Sequence, residues 1–464
     1  MDLHDLTAVE QAAAIRSGEV SSVELTEHYL IRSHALNATV GAFATISDAL
    51  AREQAQAADR AVAERHGGPL SVLHGVVVPV KDLNHVAGVT CRFGSAAVEV
   101  VSDIDDDVVA LLREGGTVMT GKTTTPEFGL PCYTEPDVSH WARTPWDLDR
   151  SAGGSSGGAA AAVAAGLAPV AQGSDGGGSI RIPASVCGLV GLKTSRGLVP
   201  SGPGPESPGR LGVDGPLART VTDAAALLDV MTGSSLEGTG TSYVDGLERD
   251  PRPLLVGRYC QPVIAETAVH AECQAAYEAT SLLLESLGHR VVDIDVPFPL
   301  SAVPHFARVW AALAASIPVD PDREGDLRPL TRWLREAGRG LTDDEVSAEV
   351  SFMAGYGRSA LEATSHLDIV LTPTLADLPV PHGALRDDDD PQADFDAQSR
   401  FTPFTSPYNI TGQPAVSLPV HWTHDGLPVG VQLVARPLGE ALLLRLAAQI
   451  ERARPWAHRY PEVW

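Results

Sequence analysis

Lysine occupies only Lys81, Lys122 and Lys193 in this 464-residue chain, although Lys and Arg together number 34. A chain that otherwise uses arginine for its cations has kept the one basic side chain that can lose its proton when desolvated. The lysines cluster around a serine- and glycine-rich tract, AGGSSGGAAAAVAAGLAPVAQGSDGGGSIRIPAS, at residues 152–185. Glycine beside serine lets backbone N–H groups approach a reacting atom without Cβ obstruction. In GSDGGGS the N–H groups of Gly176, Gly177, Gly178 and Ser179 can converge on one point, an oxyanion hole that contains its own serine. Ser179 is therefore read as a nucleophile. A serine hydroxyl needs a base, yet no G-x-S-x-G elbow is present and none of the 15 histidines has a recognisable triad context. Lys81, at the end of the apolar run in VPVKDL, is the remaining candidate, because burial lowers a lysine by several units from about 10.4.

A flexible linker would not enclose an Ala-rich helix and an apolar strand, as residues 152–185 do. Lys81 paired with Asp82 would be purely structural. Gly116 to Thr123 satisfies the P-loop expression G-x-x-x-x-G-K-[ST], but its middle residues TVMT read as strand and Pro126 follows, so nucleotide binding is disfavoured. Lys122 and Lys193 then read as structural. His421 and His424 form an H-x-x-H that straddles a hairpin turn, which suits packing better than metal ligation. Five cysteines without C-x-x-C spacing read as free thiols.

The elements that must position these groups follow from periodicity. Residues 6–17, 22–36 and 48–66 read as helices, with Thr7 and Ser22 as N-caps. Residues 76–80, 117–120 and 168–172 read as buried strands alternating with helices, an α/β pattern. Helices are expected near 265–287, 303–316 and 343–364, strands at 415–422 and 427–435, and a closing helix after them. Segment 200–216 reads as a long loop, and RDDDDPQADFD as a solvated surface excursion. The formal charge of −25 repels phosphate backbones and anionic headgroups, which disfavours nucleic-acid and membrane-surface roles. The acidic start MDLHDLTAVEQ and the lack of a long apolar run point to a cytoplasmic protein.

Three motifs in this order, VPVKDL, GGSSGG and GSDGGGSIRIPAS, resemble the hallmarks of the amidase signature family. Weaker similarity extends over most of the chain, including GGTVMTGKTTTPEFG, CGLVGLKTSRGLVP, PFTSPYNITGQPAVSLP and LPVGVQLVA. The resemblance implies a single domain over 1–464 with the family's fold, a central mixed β-sheet sandwiched between layers of α-helices. Its parts would be a helical apron (1–66), a signature core (67–234), a variable substrate-pocket region (235–400) and a C-terminal return (401–464).

The same resemblance implies a Ser-cisSer-Lys triad: Ser179 as nucleophile, Ser155 after a cis peptide bond as proton bridge, and Lys81 as base. Asp175 and Arg181 would brace the loop, with Ser156 hydrogen-bonded nearby. Phe128, Gly129, Leu130, Cys132 and Tyr133 would flank the nucleophile, and Phe306 and Trp310 would cover it. The family commonly carries a bulkier residue where this chain has Gly176. The expected reaction is acyl-enzyme hydrolysis of small, mainly uncharged hydrophobic amides, anilides, carbamates or oligoamides, needing no metal or cofactor. The expected partner is the small-molecule substrate, with a homodimer admitted. A second reading is the amidase subunit of a glutamine-dependent tRNA amidotransferase, which would require a polar acyl pocket and a protein partner.

Overall fold

The computed structural model describes residues 2–64, 70–203, 207–233 and 242–464. The boundaries expected at 66/67 and 234/235, and the last two residues of the third N-terminal helix, lie outside the described residues.

Among the described residues the principal sheet has eight strands. Across it they run Arg290–Asp293, Leu255–Arg258, Ile369–Pro373, Pro428–Ala435, Ala415–Trp422, Val190–Lys193, Val213–Ala218 and Val170–Asp175. The first three are parallel to one another and every later pairing is antiparallel, so the sheet is mixed. Side chains alternate across it. Val170 and Ala218 enter one hydrophobic cluster with the helices Val221–Met231 and Glu440–Ala453. Ala171 and Leu217 enter the other, with the helices Gly157–Ala164 and Arg181–Cys187. Helices thus cover both faces. Every residue of Gly157–Ala164 is buried, and Cβ atoms at Gly157 and Gly158 would lie 2.5 Å from Thr134 and 2.3 Å from the Thr124 backbone. Only glycine lets this helix pack so closely.

A smaller sheet carries Lys81. Its strands are Phe43–Ile46, Gly121–Thr123 and Val80–Lys81, the last two parallel. The strand expected at 117–120 is displaced: Val118 makes an isolated bridge to Val77, and the strand proper holds Lys122. A 3-10 turn, Glu127–Gly129, follows it, so this segment does not open the helix that a phosphate-binding loop requires.

Three further differences have local causes. Ser21, not Ser22, caps the second helix, accepting from Glu24 N–H at 3.0 Å, while the Ser22 hydroxyl donates inward to the Gly75 carbonyl. The loop expected at 200–216 ends in the strand Val213–Ala218, whose Pro and Gly are accommodated beside Val170–Asp175. The acidic stretch 386–396 is only partly a surface loop. Asp390 caps the helix Pro391–Phe401 by accepting from Ala393 N–H, and Asp394 is fully buried. Among the described residues no helix is long and apolar enough to cross a membrane.

Candidate active site

Strand Val170–Asp175 ends in the loop Gly176–Ser179, and helix Arg181–Cys187 follows at once. Asp175 fixes this turn from within. Its carboxylate accepts from the N–H groups of Gly178 (2.8 Å) and Ile180 (3.1 Å), and from the Arg181 guanidinium twice at 2.9 Å. Asn409 adds a further donor at 2.9 Å. Burial acts to raise the Asp175 carboxyl, but the charge and hydrogen bonds of Arg181 prevail and hold it well below the usual carboxylate range. Arg181 also donates to the Thr405 carbonyl, the Gln432 amide oxygen and the Asn409 amide oxygen. A fully buried ion pair is therefore satisfied on all sides, the condition under which such a pair is tolerated.

Lys81 is fully buried behind this loop. Its Nζ donates to Ser155 Oγ at 2.8 Å, to Ser174 Oγ at 3.1 Å and to the Ser174 carbonyl at 3.2 Å. Burial lowers its pKa to about 7, opposed by the charges of Asp175 and Asp214. Asp214, itself pushed up to about 7 by burial, accepts from Gln172, whose other amide atom accepts from the Lys81 backbone N–H. The neighbouring Asp82 does not pair with Lys81; it forms an ion pair at 3.0 Å with the equally buried Lys122. Lys122 is thus the charged partner of a carboxylate, while Lys81 meets only hydroxyl and carbonyl oxygens. Lys193 donates to the Thr194 carbonyl at 2.8 Å.

The peptide bond Gly154–Ser155 is cis. Ser156 N–H donates to the Ser179 carbonyl at 3.0 Å, which brings the two serine segments side by side, and Ser156 Oγ donates to the Ser174 carbonyl at 3.1 Å. Among the described residues the Ser179 hydroxyl has no hydrogen-bond partner, so it stands open toward the cavity in front of it. An amine that can be neutral near pH 7 and a hydroxyl within its hydrogen-bonding reach can exchange a proton in either direction.

The oxyanion group assigned from sequence needs one correction. Gly178 N–H is committed to Asp175 and is not free to hold an oxyanion. Its role is conformational: φ is +135°, and a Cβ would lie 2.4 Å from Thr405 Oγ1. The N–H groups of Gly176, Gly177 and Ser179 carry no partner among the described residues. A Cβ on Gly176 would meet the Trp310 ring at 3.4 Å, so the glycine that departs from the family pattern sits directly beneath this indole.

Ser179 opens onto a cavity of about 60 Å³. Leu130, Cys132 and Trp310 line it, as does Phe306, stacked on Trp310 with ring centroids 5.5 Å apart. Gly129 instead abuts the bridge position, where a Cβ would approach Ser155 Oγ to 3.1 Å. Phe128 lies outside the cavity lining, packed in a hydrophobic cluster beside Phe93. Tyr133 donates to the buried Asp394 at 2.6 Å and fixes the wall from behind.

Sequence reasoning did not single out Ile264, Phe395, Gln398 and Ser406 of the lining, nor Ser174 at the lysine. Only Ser174 had a local signal, its place in GSDGGGS. No side chain lining the cavity among the described residues is charged. His421 bonds Glu272 at 2.6 Å, His424 is exposed, and no cluster of metal-ligating residues occurs among the described residues.

A family model described as Amidase matches residues 24–444. A putative amidase, AmiB2, of Mycobacterium tuberculosis is 38% identical over 473 residues, covering 100% of both chains. The 6-aminohexanoate-cyclic-dimer hydrolase of Paenarthrobacter ureafaciens is 35% identical over 490 residues, covering 98% of this chain and 96% of its own. A solved structure of 6-aminohexanoate cyclic dimer hydrolase superposes with a TM-score of 0.89 at 31% identity, covering 100% of both chains.

Proposed function

We propose, from the premise that this chain belongs to the amidase family and hydrolyses non-peptide carbon–nitrogen bonds of amides, that Ser179 is its nucleophile, Ser155 its proton bridge and Lys81 its base. Neutral Lys81 takes the Ser155 proton as Ser155 takes that of Ser179, and Ser179 Oγ attacks the carbonyl carbon. The developing oxyanion is held by the N–H groups of Gly176, Gly177 and Ser179. Lys81 then returns its proton through Ser155 to the nitrogen of the breaking C–N bond, leaving an acyl-enzyme and a free amine. Water repeats the sequence, releasing the acid and regenerating Ser179.

The observation that carries this reading is the buried Lys81 Nζ at 2.8 Å from Ser155 Oγ, with no carboxylate bonded to it. Ser179 Oγ turns toward Ser155 when substrate fills the cavity, since catalytic hydrogen bonds in free enzymes commonly tighten only in the complex.

The substrates are small, uncharged and mainly hydrophobic: anilides, carbamates or oligoamides. Support comes from the uncharged lining with Leu130, Ile264, Phe306, Trp310 and Phe395. The relatives named as cyclic-dimer hydrolase and acylamidase act in the same direction. A glutamine side chain carried on a zwitterion would find no counter-charge here, which disfavours the amidotransferase reading.

A fluorophosphonate probe is expected to label Ser179, and Ser179→Ala to lose both labelling and turnover of a p-nitroanilide by on the order of 10⁴-fold or more. A covalent adduct persisting in the Ala variant would move the nucleophile elsewhere.

A further inference from the structure

Beside the cavity at Ser179 lies an apolar recess. That recess has a volume of about 200 Å³ and lies between the helices Val303–Ser316 and Pro329–Arg339. Ala307, Ala311, Trp333, Leu334 and Ala337 line it. The two spaces are linked by helix geometry. Phe306 and Trp310, one turn apart, face the nucleophile, while Ala307 and Ala311, each one residue on, face the recess from the adjoining stripe of the same helix. Small side chains on that second stripe leave the space open. One side chain walls both: Phe395, half-buried, borders the nucleophile cavity and the recess, its ring 5.8 Å from that of Trp333.

We infer that Phe395 is a gate, and that its displacement joins the two spaces into one channel that takes the apolar tail of the substrate's acyl group. This rests on the reading of Ser179 as nucleophile and of the substrates as hydrophobic amides. A short acyl group fills the cavity at Ser179 alone. A longer one pushes the Phe395 ring aside and lays its distal methylenes along Ala307, Ala311 and Ala337. Arg308 also borders the recess; its side chain is partly exposed and its charge is paired with Glu349 at 2.6 Å. Each methylene buried there is worth roughly a fourfold gain in transition-state binding.

The test is the chain-length profile of kcat/KM over N-acyl p-nitroanilides from acetyl to decanoyl, measured on the full chain. Ala337→Phe places a ring in the recess at an exposed position, which folding tolerates. It is expected to lower the octanoyl-to-acetyl ratio by about tenfold or more. Phe395→Ala removes the gate and is expected to raise that ratio. Fluorophosphonate labelling of Ser179 in each variant verifies an intact nucleophile. An octanoyl-to-acetyl ratio unmoved by Ala337→Phe, or a uniform effect of Phe395→Ala at every chain length, would overturn the channel. Wild-type protein that labels at Ser179 yet hydrolyses none of the series would overturn the hydrophobic-amide reading itself, and the channel with it.

Discussion

The floor and the cover of the cavity are held by different forces. Beneath Ser179, Asp175, Arg181 and Asn409 are buried and hydrogen-bonded to one another and to surrounding backbone. Above it, helix Val303–Ser316 lays two stacked aromatic rings on the loop and packs against helices Pro329–Arg339 and Asp343–Ala363 through a buried apolar cluster that includes Val309, Ala311, Leu330, Leu334 and Met353. Partly exposed pairs add to this: His305 with Glu349, and Arg308 with Glu345 and Glu349. A saturated polar floor has one arrangement, because any shift strands a buried polar group. A cover held mainly by apolar packing, which is non-directional, can repack around its ligand. The floor thus suits chemistry, which needs fixed distances, and the cover suits selection, which varies with substrate.

Substitutions should separate the two. Lys81→Arg keeps a cation but supplies no base at neutral pH, and is expected to lower kcat by roughly 10⁴-fold without unfolding the protein. Retained turnover in a steady-state assay would show that the floor does not transfer protons through this side chain. Asp175→Asn leaves Arg181 buried without its counter-charge, and chemical denaturation is expected to show a loss of about 3–5 kcal/mol. A loss under 1 kcal/mol would mean that the floor is less dependent on this pair than its bonding suggests.

The pH profile probes the floor more gently. The active form is the neutral amine, whose fraction rises with pH up to the pKa of about 7. The rate constant kcat/KM should therefore climb about tenfold per pH unit on the acid side and level off above neutrality. A flat profile through this range would contradict a titrating Lys81. Smallest is the cover: Trp310→Ala is expected to raise KM by about tenfold with kcat changed far less, a split that kinetic titration with a hydrophobic anilide reads directly. An equal fall in kcat would place the indole in the chemistry.

What the sequence discloses follows the same division. Lys81, the paired serines and the glycine turn are legible because their chemistry demands particular residue types at adjacent positions. The α/β pattern is legible because buried strands such as Ala415–Trp422 and Pro428–Ala435 are largely apolar runs. The cover is harder to read. Ile264 lies far in sequence from Phe395 and Gln398, which share the helix Pro391–Phe401, and none of them carries a motif, since any apolar or neutral residue of suitable size can line a wall. Phe395 is hidden further within RDDDDPQADFD, whose charge suggests solvent although Asp394 there is buried against Tyr133. Composition reports average polarity, and a single buried carboxylate with a partner escapes it. Ser22 failed as a cap for a related reason: adjacent serines are equivalent in sequence, and only Gly75 decides which one turns inward.

The reach of Arg181 has a consequence for biosynthesis. Its guanidinium binds acceptors at Thr405, Asn409 and Gln432, more than 220 positions downstream. A ribosome must synthesise past Gln432 before that cation has its full set of acceptors. A chain cut short before Gln432 would leave one acceptor of that buried cation missing, although Asp175 would still brace the turn.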